Sequence, residues 1–401
     1  MPSNIVVCLD GTWNKPGQKD QGVETETNVR KLYEALAVRP DQLRRYFPGV
    51  GTDPGEKVSG GAFGWGLFDQ IKNAYRALRE QFTPGDRIYV FGFSRGAFSA
   101  RSLAGMILRC GVVRKDIDDV NVPGLVADLL STQQDGNLKI DVTDKVFAMY
   151  KHGYDKKNLP EVDRFKREYC HDTPVRLVGV WDTVGALGIP EDLFVPALRK
   201  FDRRIDAQLY GFLDTDLSPR VEAAYHAVAI DEHRKPFVPT LWTDARGAAP
   251  RLNIAGSNVE QVWFVGAHSN VGGGYADSGL SDIALEWMAE RAASNGLELE
   301  PTAVAALKPD CGAKRRDSLK EFVGLGKRRF FVWVDKITTR FVAVDRGIPF
   351  ASCIHASVEQ RLAAAAVSEP ASEAHYSPPA TLKLTNRNGV RSLDPQYRLV
   401  A

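Results

Sequence analysis

With 401 residues, 44% of them apolar, the chain can bury a substantial core, either as one large domain or as a domain with a sizeable insertion. Its 52 Lys and Arg residues against 50 Asp and Glu leave a formal charge of +2, which gives no global pull toward nucleic acid or an anionic surface, so no nucleic-acid partner is expected. No apolar run approaches the ~20 residues needed to cross a bilayer and the first residues do not read as a signal peptide, so synthesis in the cytosol is expected.

The first element is an apolar, β-branched run over residues 5–9 (IVVCL) that stops at Asp10-Gly11-Thr12, as buried parallel strands do. DGT after a strand is also a mark of dehalogenase-type phosphatases, but their nucleophilic aspartate would stand at Cys8, and a thiol cannot form the acyl phosphate. The loop is then open to another role: backbone N–H groups of Gly11 and Thr12 aimed at an oxyanion, with Asp10 in support, or a plain turn. Two amphipathic helices follow, one with Asn28 as cap ahead of Val29, Leu32, Tyr33 and Leu36, the other carrying Leu67, Ile71, Tyr75, Leu78 and Phe82 at spacings of three and four. Further strand-like runs lie at 87–93 (RIYVFGF), 175–181 (VRLVGVW) and 259–265 (VEQVWFV). Residues 112–173 and 190–225 are charge-rich and helical in pattern and read as cap insertions. Their aromatic and aliphatic side chains (among them Phe147, Tyr150, Tyr154, Phe194 and Phe201) suit an acyl groove, although a helical core explains such spacing more often. After Gly296 the rhythm fades, apart from an aromatic β-like stretch at 329–344 and an alanine-rich tail. Strands alternating with helices predict a doubly wound α/β architecture: a mostly parallel sheet flanked by helices over residues 1–300, with the two helical insertions, and a C-terminal extension over 301–401 packing on or near that core. The five cysteines are widely spaced, lack a CxxC pair and read as reduced thiols; neither a metal nor another cofactor is called for.

The strand at 87–93 runs into Gly92-Phe93-Ser94-Arg95-Gly96 and then into AFSARSLAGMIL, a helix lined with small residues. Strand, G-x-S-x-G elbow and helix in that order mark Ser94 as a nucleophile on a strained turn, flanked by glycines where a Cβ would clash. The N–H of Arg95 is the natural second oxyanion donor. A serine hydroxyl needs a base and the base an orienting acid, in the chain order Ser, Asp or Glu, His. His268 lies just past the last clear strand in a glycine-rich loop and is the best base; His226 is its main competitor. Asp182 ends the strand at 175–181, facing the same sheet edge as Ser94, and is the preferred acid. Asp231 and Asp277 are alternatives that would otherwise bind Arg234 or hold a loop.

Six blocks, CLDGTWN, YFPGVGT, GFSRGAFSARSLAGMI, GVWDTVGALG, HAVAIDEHRKPF and VWFVGAHSNVGGGY, spread over about residues 4–295, resemble the α/β hydrolase family with the GFSRGA signature that contains the type VI secretion phospholipase effectors. The resemblance implies ester hydrolysis by a triad falling on Ser94, Asp182 and His268, and in effector members phospholipase A activity on membranes. It also implies an immunity protein or secretion component as partner and export by a specialised route without a signal peptide. One departure is Asn270, where the family has Asp after His-Ser.

Three functions follow. The first is a serine esterase of lipase or phospholipase type acting on a lipid or other acyl ester. The second is a non-catalytic membrane- or partner-binding module, supported by the basic triplets Lys314, Arg315, Arg316 and Lys327, Arg328, Arg329, each cation worth about 1 kcal/mol near an anionic surface. The third is metal-dependent hydrolysis with Asp10, Asp182 and Asp277 as hard ligands.

Overall fold

The computed structural model of the chain describes residues 2–51, 62–120, 141–153, 158–185, 217–234, 237–243, 258–318, 346–349, 352–366, 376–379, 381–387 and 390–401. Its centre is an eight-stranded sheet in which every neighbouring pair is parallel. In chain order the strands are β1 (Asn4–Leu9), β2 (Gln42–Phe47), β3 (Arg87–Phe93), β4 (Val175–Trp181), β5 (Val221–Ala229), β6 (Val259–Phe264), β7 (Cys353–His355) and β8 (Arg398–Val400). In space they run β8-β7-β6-β5-β4-β3-β1-β2. A sheet buried on both faces wants continuous apolar runs, and β1 is buried at all six positions. Its Ile5, Val7 and Leu9 enter one core, while Val6 and Cys8 enter the other.

Helices cover both faces. α1 (Asn28–Ala35) packs with Val6, Cys8, Tyr89 and Phe91, whereas α2 (Ala62–Gln81), α3 (Arg95–Cys110), α4 (Val142–His152) and α5 (Leu159–Tyr169) build the opposite core. α1 is capped by Thr27, whose side chain accepts from the Arg30 N–H at 3.2 Å. Asn28, expected as that cap, is instead buried in the first turn and donates to Val271 O at 2.9 Å and Ser281 O at 2.8 Å. The chain leaves β1 toward β2 on one side and returns to β3 on the other. The carboxyl ends of β1 and β3 therefore flank the point where strand order reverses, where α/β sheets open a crevice.

Three differences from the sequence reading stand out. β2 was not expected, and β5 lies partly inside the predicted helical insertion at 190–225. Residues 353–355 and 398–400 join the central sheet, so the last hundred residues contribute strands to it. Of the groove candidates, Phe147 and Tyr150 are core residues, Phe147 packing against Phe68 with the rings tilted and their centroids 5.3 Å apart. Tyr154, Phe194 and Phe201, the basic triplet at 327–329 and the β-like stretch at 329–344 lie outside the described residues. Among the described residues no helix is long and apolar enough to cross a membrane. All five cysteines are free thiols, and four of them are buried.

Candidate active site

β3 ends at Phe93, and Ser94 turns the chain into α3 at φ 59° and ψ −125°. A non-glycine residue held at positive φ is strained, and the strain persists because both neighbours are packed. A Cβ on Gly96 would sit 2.3 Å from Leu9 O and 2.4 Å from Asp10 O, so only glycine lets α3 start this close to the end of β1. Ser94 is 5% exposed, and its own N–H donates to Trp181 O at 3.1 Å. The Arg95 N–H belongs to the first turn of α3, where helix N–H groups lack intrahelical acceptors.

The loop after β1 comes equally close. A Cβ on Gly11 would lie 2.9 Å from Ser94 Cβ. Asp10 shapes this loop: its carboxylate accepts from Gly11 N at 2.8 Å, Thr27 Oγ1 at 2.6 Å and Tyr46 OH at 2.7 Å. Burial pushes Asp10 up to about 6 against the pull of these donors. The Gly11 N–H is thus occupied by Asp10, leaving Thr12, which is buried, as the next backbone donor of the loop.

On the other side of Ser94 the ends of β4, β5 and β6 meet. Asp182 follows β4 at φ 39°, fully buried, with its N–H on Ala227 O at 2.7 Å. Its Oδ2 lies 2.5 Å from Nδ1 of His268, the first residue of α6 (His268–Gly272). Its Oδ1 accepts from the Ala229 N–H at 2.9 Å. Arg346 grips both oxygens, Nη1 on Oδ1 at 2.6 Å and Nη2 on Oδ2 at 2.9 Å. Burial alone would raise the acid, but Arg346 and His268 hold it well below the usual carboxylate range. Burial lowers His268 below its ordinary value, the Asp182 contact working in the opposite direction. The imidazole is sandwiched by aromatic rings: Phe93, the residue before Ser94, at 4.6 Å between centroids, and Phe237 edge-on at 4.9 Å. Among the described residues no hydrogen bond joins Ser94 Oγ to this ring, and such bonds often tighten only with substrate in place.

His226 has a different task. Its Nε2 accepts the Thr183 N–H at 3.1 Å, and its Nδ1 faces Gln261 Oε1 at 3.3 Å, which fixes the neutral tautomer beneath the Asp182 turn. Burial lowers it to about 3. Arg234, open in the sequence to either Asp231 or Asp277, pairs with Glu232 at 2.9 Å through both Nε and Nη2. Glu232 also accepts the His268 N–H at 3.2 Å and the Ser318 hydroxyl at 2.8 Å. Asp231 accepts from Gly266 N at 2.7 Å and from Arg315 at 3.2 Å, bracing the loop ahead of His268. Asp277 receives Lys314 N at 2.9 Å and Gly279 N at 3.2 Å. Asp10, Asp182 and Asp277 do not converge: among the described residues no three His, Cys, Asp or Glu side chains group as metal ligands. Asn270 donates Nδ2 to Lys314 O at 3.2 Å and accepts the Arg316 N–H at 3.1 Å. An aspartate could only do the second. Arg315 and Arg316, read as surface cations, are paired with Asp231 and Asp20, and Arg316 also lies over Tyr275 at 4.1 Å.

Arg346 and Glu232 escaped the sequence reading. Glu232 had a signal, a guanidinium two residues downstream in the same block. Arg346 had none, lying 164 positions from its carboxylate in patternless sequence.

An α/β sheet with a strained elbow serine at its switch point and a buried Asp–His pair beside it defines the α/β-hydrolase class. Residues 3–291 match the family described as type VI secretion system, phospholipase effector Tle1-like, catalytic domain, and the chain belongs to that family. The chain is also 28% identical over 263 residues to the uncharacterised protein YEL023C of Saccharomyces cerevisiae, a match covering 60% of this chain. The matched region spans 33% of that relative's length. A crystal structure of an uncharacterised protein from Pseudomonas aeruginosa superposes with a TM-score of 0.43 at 18% identity, covering 77% of this chain and 49% of the other.

Proposed function

We propose that the chain is a serine hydrolase that cleaves acyl esters of lipids, of phospholipase type, through an acyl-enzyme. The observation that carries this reading is the 2.5 Å contact between buried Asp182 and His268, next to the strained elbow that presents Ser94. Ser94 Oγ attacks the ester carbonyl while His268 Nε2 takes its proton. His268 then passes that proton to the leaving alcohol, and water enters by the same route to release the acid. Asp182 selects the tautomer that leaves Nε2 basic and stabilises the imidazolium. Thr12 and Arg95 supply oxyanion N–H groups, each worth roughly 2.7–4 kcal/mol of the barrier. Family membership supports a lipid as substrate, with release through a secretion system and an immunity protein as partner. Membrane contact would require cations other than Arg315 and Arg316, which are engaged within the fold.

Labelling with a fluorophosphonate and mapping the adduct by peptide mass tests the reading. The adduct is expected on Ser94 and absent in Ser94→Ala, with ester turnover of that variant down by at least about 10⁴-fold. Undiminished turnover in Ser94→Ala would refute it.

A further inference from the structure

We infer that Arg346, from chain beyond the matched catalytic domain, is the positioning residue of the Asp182–His268 pair, its guanidinium fork setting the plane of the Asp182 carboxylate. The inference rests on the serine hydrolase reading above.

The side chains of Arg346 and Asp182 are 2% and 0% exposed, so neither is solvated by water. A buried carboxylate needs a counter-charge, and a planar fork binds both oxygens at once where a lysine would bind a point. With Oδ1 and Oδ2 each on one Nη, the carboxylate cannot rotate about its Cβ–Cγ bond, and Oδ2 stays aimed at Nδ1 of His268. The same guanidinium reaches further. Nη1 also donates to Ala229 O at 2.7 Å, at the end of β5, and Nη2 to Phe237 O, the residue whose ring packs on the imidazole. One side chain thus ties the acid, the strand beside it and the aromatic cover of the base.

Charge balance points the same way. Asp182 with Arg346 is a neutral unit, which leaves His268 free to cycle between imidazole and imidazolium. Without Arg346, either Asp182 keeps a proton and cannot accept the Nδ1–H, or its unbalanced charge holds the ring as imidazolium. Both outcomes demand a higher pH before Nε2 can act as a base. Residues 3–291 carry Ser94, Asp182 and His268 yet lack this group, so the site is complete only with the C-terminal part of the chain.

The test measures the rate of Ser94 fluorophosphonate labelling against pH in the full chain, wild type, Arg346→Gln and Arg346→Lys, each checked for a cooperative thermal transition. Arg346→Gln is expected to lose roughly 10- to 100-fold in rate, the range for removing the partner that orients a functional group, and its acidic limb should move to higher pH. Arg346→Lys should fall between the two in rate, since charge returns without the fork. A wild-type rate and limb in Arg346→Gln would overturn the inference while leaving the hydrolase reading intact. So would equal losses in both variants with an unmoved limb, which would make Arg346 a structural tether only. Where Arg346→Gln does not fold, Arg346→Lys carries the decision: a slower rate with the limb in place and the thermal midpoint kept supports the fork, and wild-type values refute it. A wild type without an adduct on Ser94 would sink the hydrolase reading, and the inference with it.

Discussion

The two sides of the site are held by different forces. Ser94 and the loop at Gly11 are fixed by backbone contact, with β1 and α3 so close that a single methyl at Gly96 would meet Leu9 O at 2.3 Å. Asp182 and His268 are fixed by charge: Arg346 on the acid, Glu232 on the N–H of His268, and Arg234 on Glu232. The steric contact of Gly96 with Leu9 also joins residues far apart in the chain, but it carries no charge of its own. An electrostatic lock gathers groups far apart in the chain, fails when one member is removed, and titrates.

Perturbing the charged side should therefore leave the serine elbow folded while disabling or loosening what surrounds it. The largest effect is expected from Asp182→Asn, which preserves shape but presents an N–H where Nδ1 needs an acceptor: kcat should fall by about 10⁴-fold, and the thermal midpoint should drop as well because Arg346 is left buried without its counter-charge, as read from ester turnover and calorimetry. A loss below about tenfold would mean that Asp182 does not orient the base. Glu232→Gln should act mainly on stability, because it strips a buried partner from Arg234 and weakens the acceptor for the His268 N–H and the Ser318 hydroxyl. A loss of about 2 kcal/mol in denaturant unfolding is expected. An unaltered unfolding midpoint would show that the charged side is not cooperative.

The smallest effect concerns pH. His226 is buried as neutral imidazole and lowered to about 3, whereas an unfolded imidazole titrates near 6.5. Below 6.5 the unfolded chain binds a proton that the folded chain refuses, so this group removes stability as pH falls toward about 3, by about 1.4 kcal/mol per unit. The urea midpoint of the wild type should thus drop more steeply between pH 6.5 and 5 than that of His226→Gln, which keeps an acceptor for the Thr183 N–H. Parallel slopes would assign the acid sensitivity to other groups.

Much of the fold was legible in the sequence because it is written in local patterns. β1, β3, β4 and β6 are apolar runs ending at turns, and Ser94 lies in a strand, elbow and helix motif that is contiguous in the chain. β2 escaped because an edge strand is only half buried and reads QLRRYF; β5 escaped because the alanines of VEAAYHAVA favour helix until parallel neighbours on both sides make it a strand. β7 and β8, three residues each, are too short for any period to appear. The candidate residues Ser94, Asp182 and His268 could be proposed from motif and order. Which charge meets which could not: Arg234, left open between Asp231 and Asp277, meets Glu232. Chain order and apolar pattern thus determined the strands and the elbow, because backbone conformation and burial are imposed by near neighbours. Only the tertiary structure decided that Arg346 closes on Asp182 across 164 positions, because an ion pair leaves no periodic trace in a chain and exists only where folding removes water from both partners.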